Sequence, residues 1–241
     1  MSTLLTQMHG AVLRISLNRP EKHNALNTEL TRHLLETLEA AKHQSEVRAI
    51  VLHGNGKSFC AGADTGEFKS FAPDAGNVAI DRADLTTTLH LAFSRVPKPI
   101  VAAVHGNALG GGAGLALACD MVVMAEDARF GYPELKHGIV AAVVLANLVR
   151  QAGLKHAFEL VSMAEPIDGR RALALGLANR ACPPDRVLDE ALDIAGKLAS
   201  WSPAAMATTK RTFYRAADLP LEAALDVGRD ANIMMRSFNE K

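Results

Sequence analysis

His105 to Asp120 reads HGNALGGGAGLALACD, three consecutive glycines feeding a run of small apolar residues. Glycine inside a regular element costs about 0.5–1 kcal/mol relative to alanine, so concentrating it at one point demands a backbone reason. The stretch follows KPIVAAV, a continuous apolar run that reads as a strand buried on both faces. A buried strand, a glycine loop and a helix start made of small residues leave two readings open. Either the helix packs unusually close to the sheet, or its first N–H groups, which lack internal partners and carry the positive end of the helix dipole, are offered to a ligand. A second junction of the same kind, FCAGADTGEF, follows the apolar run VRAIVLHG at Val47–Gly54. Two N–H groups, one from each junction, can cradle an oxygen that becomes negative during a reaction.

The rest of the chain repeats this grammar. AVLRISLN (Ala11–Asn18) alternates apolar and polar residues and predicts a half-buried strand. After Pro20, Thr28 is expected to cap a helix whose apolar positions Leu30, Leu34, Leu35 and Leu38 fall at helical spacing. Phe68 to Asn77 carries no pattern, a helix is expected from about Ile80 to Arg95, and MVVMAEDARFG predicts a third buried strand starting at Met121. Strand and helix alternate, which points to an α/β architecture with largely buried sheets. From Pro183 onward only helices are predicted, PDRVLDEALDIAGKLAS, SPAAMATTKRTFYRAA and a final segment from Leu221. The expectation is therefore a core over residues 1–182 and a helical region over 183–241, whose apolar faces must pack on the core or on a neighbouring subunit.

Composition narrows the function classes. At 241 residues and 49% hydrophobic, the chain can bury a sizeable core. Acidic and basic residues balance at 26 each, so no overall field favours nucleic acid or an anionic membrane. Aromatic residues are 5%, with Trp201 the single tryptophan, which argues against a stacking surface for bases. No apolar run reaches the roughly 18–20 residues needed to span a bilayer, and the opening MSTLLTQMHGAVLRISL does not read as a secretion signal. Cys60, Cys119 and Cys182 have neither metal-ligand nor redox spacing and read as reduced thiols of a cytoplasmic protein.

Three familiar glycine motifs fail on inspection. The phosphate loop needs glycine five residues before Gly56-Lys57-Ser58, where Val51 stands. The dinucleotide fingerprint opens with Gly110 and Gly112 but meets Leu115 at its third glycine. GKSFC ends in Cys60 where a nucleophile elbow needs glycine.

What remains resembles the crotonase superfamily, the enoyl-CoA hydratase/isomerase family. LNRPEKHNALN, GNGKSFCAGAD, KPIVAAVHGNALGGGAGLALACD and ARFGYPELKHGIV are similar to its signatures, in its order and over nearly the whole chain. The resemblance implies a crotonase-like spiral of β-β-α turns with a C-terminal helical region, assembled as a homotrimer or dimer of trimers. It implies an acyl-CoA thioester substrate, with coenzyme A as part of the substrate and no separate cofactor, metal, nucleic acid or membrane. By the same resemblance the N–H groups of Ala63 and Gly111 form an oxyanion hole for the thioester carbonyl. Ala61 to Asp64 hold the adenine, Lys22 and Ala25 lie along the phosphates and pantetheine, and Lys210 and Phe213 complete the coenzyme A site.

The catalytic base decides the chemistry. Hydratases similar to this chain use two glutamates; here the first position is Gly114 and only the second, Glu134, is present. A single base suits a Δ3–Δ2 enoyl-CoA isomerisation, in which one carboxyl takes a proton from C2 and returns it at C4 while the enolate is held. Hydration of a 2-enoyl-CoA through an unconventional second group is the alternative. A degenerate acyl-CoA-binding scaffold is the alternative of another class. Ala142 stands where dienoyl-CoA isomerases and a dehalogenase branch carry an aspartate, and AAVV at 141–144 departs from the glycine-rich run common in hydratases. Tyr132 and His137 flank Glu134 but are expected to have packing or surface roles. His90 is expected to face the acyl pocket, and His105 and Cys119 read as core residues.

Overall fold

The computed structural model describes residues 2–68 and 76–236; the centre of the unpatterned stretch, residues 69–75, lies outside the described residues. The chain opens with strands β1 (Leu4–His9) and β2 (Val12–Leu17), which pair antiparallel across a turn at Gly10. Helix α1 (Thr28–Ala41), strand β3 (Ala49–Gly54), the short α2 (Thr65–Phe68) and the long α3 (Gly76–Arg95) follow. Then come β4 (Ile100–Val104), β5 (Asn107–Leu109), α4 (Gly111–Ala118), β6 (Met121–Ala125) and β7 (Arg129–Gly131). A 3-10 turn over Glu134–His137 leads to α5 (Leu145–Ser162), which is broken at Gly153. The chain closes with α6 (Gly169–Ala174), β8 (Arg180–Cys182), α7 (Val187–Ala199), α8 (Pro203–Ala217) and α9 (Leu221–Met234).

The main sheet has the order β1-β2-β3-β4-β6-β8, parallel from β2 onward. Each turn of the chain adds one strand to it and then one short extended segment to a second layer. That layer holds the β5–β7 pair and the isolated bridges Leu26–Ala63, Cys60–Ala108 and Phe130–Ile167. The result is a spiral in which successive loops stack, so junctions distant in sequence become neighbours. β3 and β4 carry the core: Ala49, Ile50 and Val51 and the whole of β4 are fully enclosed. Apolar strands of this kind need cover on both faces.

Several expectations change in detail. β2 is not half-buried: Ser16 is enclosed along with its apolar neighbours, because β1 flanks it and α7 packs across it. β1 was not expected at all. The cap of α1 is Asn27, whose Oδ1 accepts the Leu30 N–H at 2.9 Å, and Thr28 is the first helical residue. His105 is not in the core; it stacks on His53 with ring centroids 4.9 Å apart and reaches the Gly56 carbonyl. Burial, with the nearby His105 and Arg14, lowers the His53 pKa to about 4. Among the described residues no helix is long and apolar enough to cross a membrane.

The helices after β8 open with α7, which is part of the sheet's cover, lying over β3, β4 and β6. Lys210 on α8, expected beside coenzyme A, is spent inside the fold. Its Nζ donates to Asp120 Oδ2 at 2.6 Å and to the Lys98 carbonyl at 2.9 Å, and its side chain is 5% exposed. Asp120 also accepts the Ile100 N–H at 2.7 Å and the Tyr214 hydroxyl at 2.8 Å. One carboxylate thus pins α8 to the start of β4. Removing one partner of a buried pair costs about 3–5 kcal/mol because the other charge is stranded. Asp120→Ala is therefore expected to lower unfolding stability by that order, measured by urea denaturation. Lys210→Met should cost less, since Asp120 keeps two other donors.

Candidate active site

The first junction is built by a loop that folds around a buried asparagine. His23 and Asn24 adopt left-handed backbone, with φ 49° and 57°, a conformation asparagine tolerates because its short amide can bond locally. Asn24 is fully enclosed. Its Nδ2 donates to the Asn55 and Ser58 carbonyls and its Oδ1 accepts the Arg19 N–H. This ties the RPEKHNALN segment to the FCAGAD segment. The tie continues through Ala61 N–H to His23 O, Leu26 N–H to Gly62 O, and Asp64 N–H to Leu26 O. Arg19 pairs with Asp64 at 2.9 Å. Burial pushes the Asp64 pKa up, but the Arg19 hydrogen bond and charge outweigh it and hold the carboxyl below its ordinary value.

The second junction is the triple glycine, whose three residues sit in different surroundings. Gly110 has φ +51°, and a Cβ there would lie 2.7 Å from Glu134 Oε1. At Gly112 a Cβ would collide with the Cys60 carbonyl, its carbon 2.8 Å away. Gly112 serves close packing. Gly111 is different: a carbon at its Cβ position stands 3.6 Å from the Ala63 amide nitrogen and meets no backbone closer than that. A carbon at the Gly62 Cβ position is 3.3 Å from the Gly111 nitrogen. The two junctions therefore meet, and among the described residues neither the Ala63 nor the Gly111 N–H has a hydrogen-bond partner.

Both residues line a cavity of about 290 Å³, with Leu26, His90, Glu134 and Val144 among its other walls. Glu134 enters it from the 3-10 turn after β7, whose end is fixed by the Gly110 N–H to Gly131 O bond at 2.8 Å. Glu134 Oε2 is buried and has no hydrogen-bond partner among the described residues. Burial raises its pKa against the lowering effects of its own N–H and His137. A carboxylate that is only partly satisfied and disfavoured as an ion is poised to take a proton and to release it.

His90 is on the cavity as expected. It lies on the α3 stripe of Ala79, Arg82, Thr86 and His90, and burial lowers its pKa to about 4, so the ring is neutral. Tyr132 is enclosed, set edge-on to Phe130, and His137 is exposed, as their packing and surface readings require. Lys22 is exposed, and Phe213 on α8 is 66% exposed. Two cavity residues escaped sequence reasoning. Arg82 is buried, reaching the Leu26 carbonyl and pairing with Glu67, whose carboxylate accepts the Thr28 N–H. A charged residue in a helix normally reads as surface, so nothing flagged it. Val144 had a signal, the AAVV departure, but its consequence needed coordinates.

That consequence concerns Gly114. A Cβ there would lie 2.9 Å from Val144 Cβ and closer still to its Cγ1, and 3.0 Å from His90 Cε1. The space a glutamate would need is already filled. Gly114→Glu is accordingly expected to destabilise the fold by about 1–3 kcal/mol, the usual cost of overpacking a core, without adding activity. Thermal denaturation with a parallel hydration assay checks both halves.

Similarity to known proteins identifies the family. The Enoyl-CoA hydratase/isomerase family matches residues 7–240. A Thermus thermophilus protein whose name includes enoyl-CoA hydratase is 42% identical over 234 residues, spanning 96% of this chain and 91% of that protein. The 2,3-dehydroadipyl-CoA hydratase of Escherichia coli is 37% identical, covering 100% of this chain and 93% of its own length. The human mitochondrial Delta(3,5)-Delta(2,4)-dienoyl-CoA isomerase is 33% identical over 97% of this chain and 75% of its own. The crystal structure of enoyl-CoA hydratase from Mycobacterium smegmatis superposes with a TM-score of 0.92 at 32% identity, covering 96% of this chain and 90% of that one. The spiral and its cavity define an enzyme of the crotonase superfamily. Within it, this chain belongs to the enoyl-CoA hydratase/isomerase family.

Proposed function

We propose that the chain is a Δ3–Δ2 enoyl-CoA isomerase that works through a thioester enolate. The observation that carries this reading is that Glu134 is the sole carboxylate among the described residues lining the cavity, while Val144 and His90 fill the space beside Gly114. The thioester oxygen of the substrate sits between the Ala63 and Gly111 N–H groups. Glu134 removes a proton from C2, the pair delocalises onto that oxygen, and the same carboxyl returns the proton at C4. Isomerisation needs no second base. Ala61 and Asp64 flank the adenine, and Lys22 and Ala25 follow the phosphates and pantetheine. No separate cofactor takes part.

The experiment is to mix the protein with a 3-enoyl-CoA and follow conjugated-thioester absorbance. A rise that depends on Glu134 supports the isomerase. No rise, with saturable binding of the thioester, leaves the scaffold reading instead. The names of the relatives favour hydration as a second reading, tested by loss of absorbance from a 2-enoyl-CoA. The exposed apolar residues of α8 and α9, among them Phe213, Leu221, Leu225 and Ile233, support assembly as a homotrimer or dimer of trimers. Light scattering giving a single chain's mass would refute that assembly.

A further inference from the structure

Positive charge collects at the end of β4 opposite the glycine junction. Two adjoining cavities of about 560 and 380 Å³ open there; Pro97 and Ala207 are walls of both, and neither shares a lining residue with the catalytic cavity. Among the described residues no aspartate or glutamate lines them, in a chain whose acids and bases balance at 26 each. Four of their lysines and arginines are spent. Lys42 pairs with Glu39, Lys98 donates to the Ala41 and Gln44 carbonyls, Arg48 donates to the Trp201 carbonyl, and Lys210 pairs with Asp120. Three are not. Arg95 and Arg215 make no hydrogen bond or ion pair among the described residues, and Arg211 reaches only the Met234 sulfur, at 3.7 Å.

Thr208, Arg211 and Arg215 fall on one face of α8 at helical spacing, and Arg95 ends α3, which packs against α8. Three guanidinium groups therefore line one cavity with no opposite charge to hold them. Their planar forks match phosphate oxygens, which accept two hydrogen bonds from each. Trp201, the single tryptophan, is 53% exposed and lines the adjoining cavity beside Pro203, the first residue of α8. Pro203 to Arg211 is a rise of about 12 Å along the helix. An extended nucleoside polyphosphate covers that span, with its base on the indole and its phosphates at the arginines. One indole serves one base rather than a strand of them.

We infer that the joined cavities form a second ligand site, for a free nucleoside polyphosphate, with the base stacked on Trp201 and the phosphates held by Arg95, Arg211 and Arg215. The site is separate from the enolate chemistry and stands whether or not Glu134 isomerises.

The test titrates the protein with ATP and follows the fluorescence of Trp201, which no other tryptophan obscures, with calorimetry in parallel. ATP is expected to quench saturably. Inorganic triphosphate should displace ATP without quenching, and adenosine should bind far more weakly. Arg95→Ala and Arg211→Ala should each weaken ATP binding roughly 10-fold, the loss of one hydrogen bond to a charged group, with the melting temperature not lowered and isomerisation of a 3-enoyl-CoA unchanged. Arg211→Lys, which keeps the charge but not the fork, should recover part of the affinity. No saturable binding of ATP, or an affinity indifferent to both alanine variants, overturns the proposal. Heat of binding with no response at Trp201 overturns it as well. Free coenzyme A acting on Trp201 at lower concentration than ATP makes the cavities part of the thioester's own site, and that also overturns it. Glu134-dependent absorbance judges the isomerase reading separately.

Discussion

Glu134→Gln is expected to lower isomerisation of a 3-enoyl-CoA by roughly 10²–10⁴-fold, the usual contribution of a positioned acid–base group. The fold should survive. Oε2 makes no hydrogen bond among the described residues, and the carboxyl's neighbours are matched in size by an amide. Because burial raises the Glu134 pKa, the ionised form is disfavoured by folding, and at neutral pH the amide removes that penalty. The melting temperature of the variant should equal or exceed that of wild type. The same shift sets the pH profile. The base must be ionised to take the α-proton, so kcat/KM should fall as pH drops through a value above the ordinary glutamate range. An acid limb at the ordinary value would show that the carboxyl titrates in water rather than in the cavity.

Gly111→Ala should cost roughly 10²–10³-fold in kcat, the loss typical when one oxyanion donor is removed. Its methyl would stand 3.6 Å from the Ala63 nitrogen, in the space a shared oxygen must occupy. The nearest atom is Leu26 Cδ1 at 3.3 Å, the free end of a flexible side chain that can yield. Activity should fall while the denaturation midpoint hardly moves. Gly112→Ala offers the contrast. Its methyl would meet the Cys60 carbonyl, main chain that cannot yield, so stability should fall first. If both variants lose stability equally, Gly111 is a packing residue and the shared-oxygen geometry is wrong.

How much of this was legible beforehand can be judged residue by residue. The apolar runs that became β3, β4 and β6 were plain, since strands enclosed on both faces leave a continuous hydrophobic trace. β1 was not, because most of its residues face outward and its sequence, LLTQMH, alternates weakly. The short β5 and β7 hide inside loops, and their pairing exists only because the spiral stacks one turn on the next. The Gly111 and Glu134 positions came from motif resemblance, and the coordinates bring them to one cavity. Lys210 is assigned to coenzyme A by resemblance alone, and its buried bond to Asp120, 90 positions away, could not be read from sequence. Such a pair leaves no local mark. The place of His90 on the helix after the first junction points it toward the pocket, but its unpaired nitrogen leaves no mark in sequence.

The crowding around position 114 also constrains how this site can change by descent. A lone codon change introducing glutamate there meets a branched side chain on the opposite wall before it reaches any substrate. Trimming Val144 first would hollow the wall with no compensating gain in chemistry. The two steps are each unfavourable alone and workable only together, a case of sign epistasis. A lineage in this configuration is held on one side of a fitness valley, and its room to diversify lies in the residues facing that wall rather than in gaining a carboxylate at position 114.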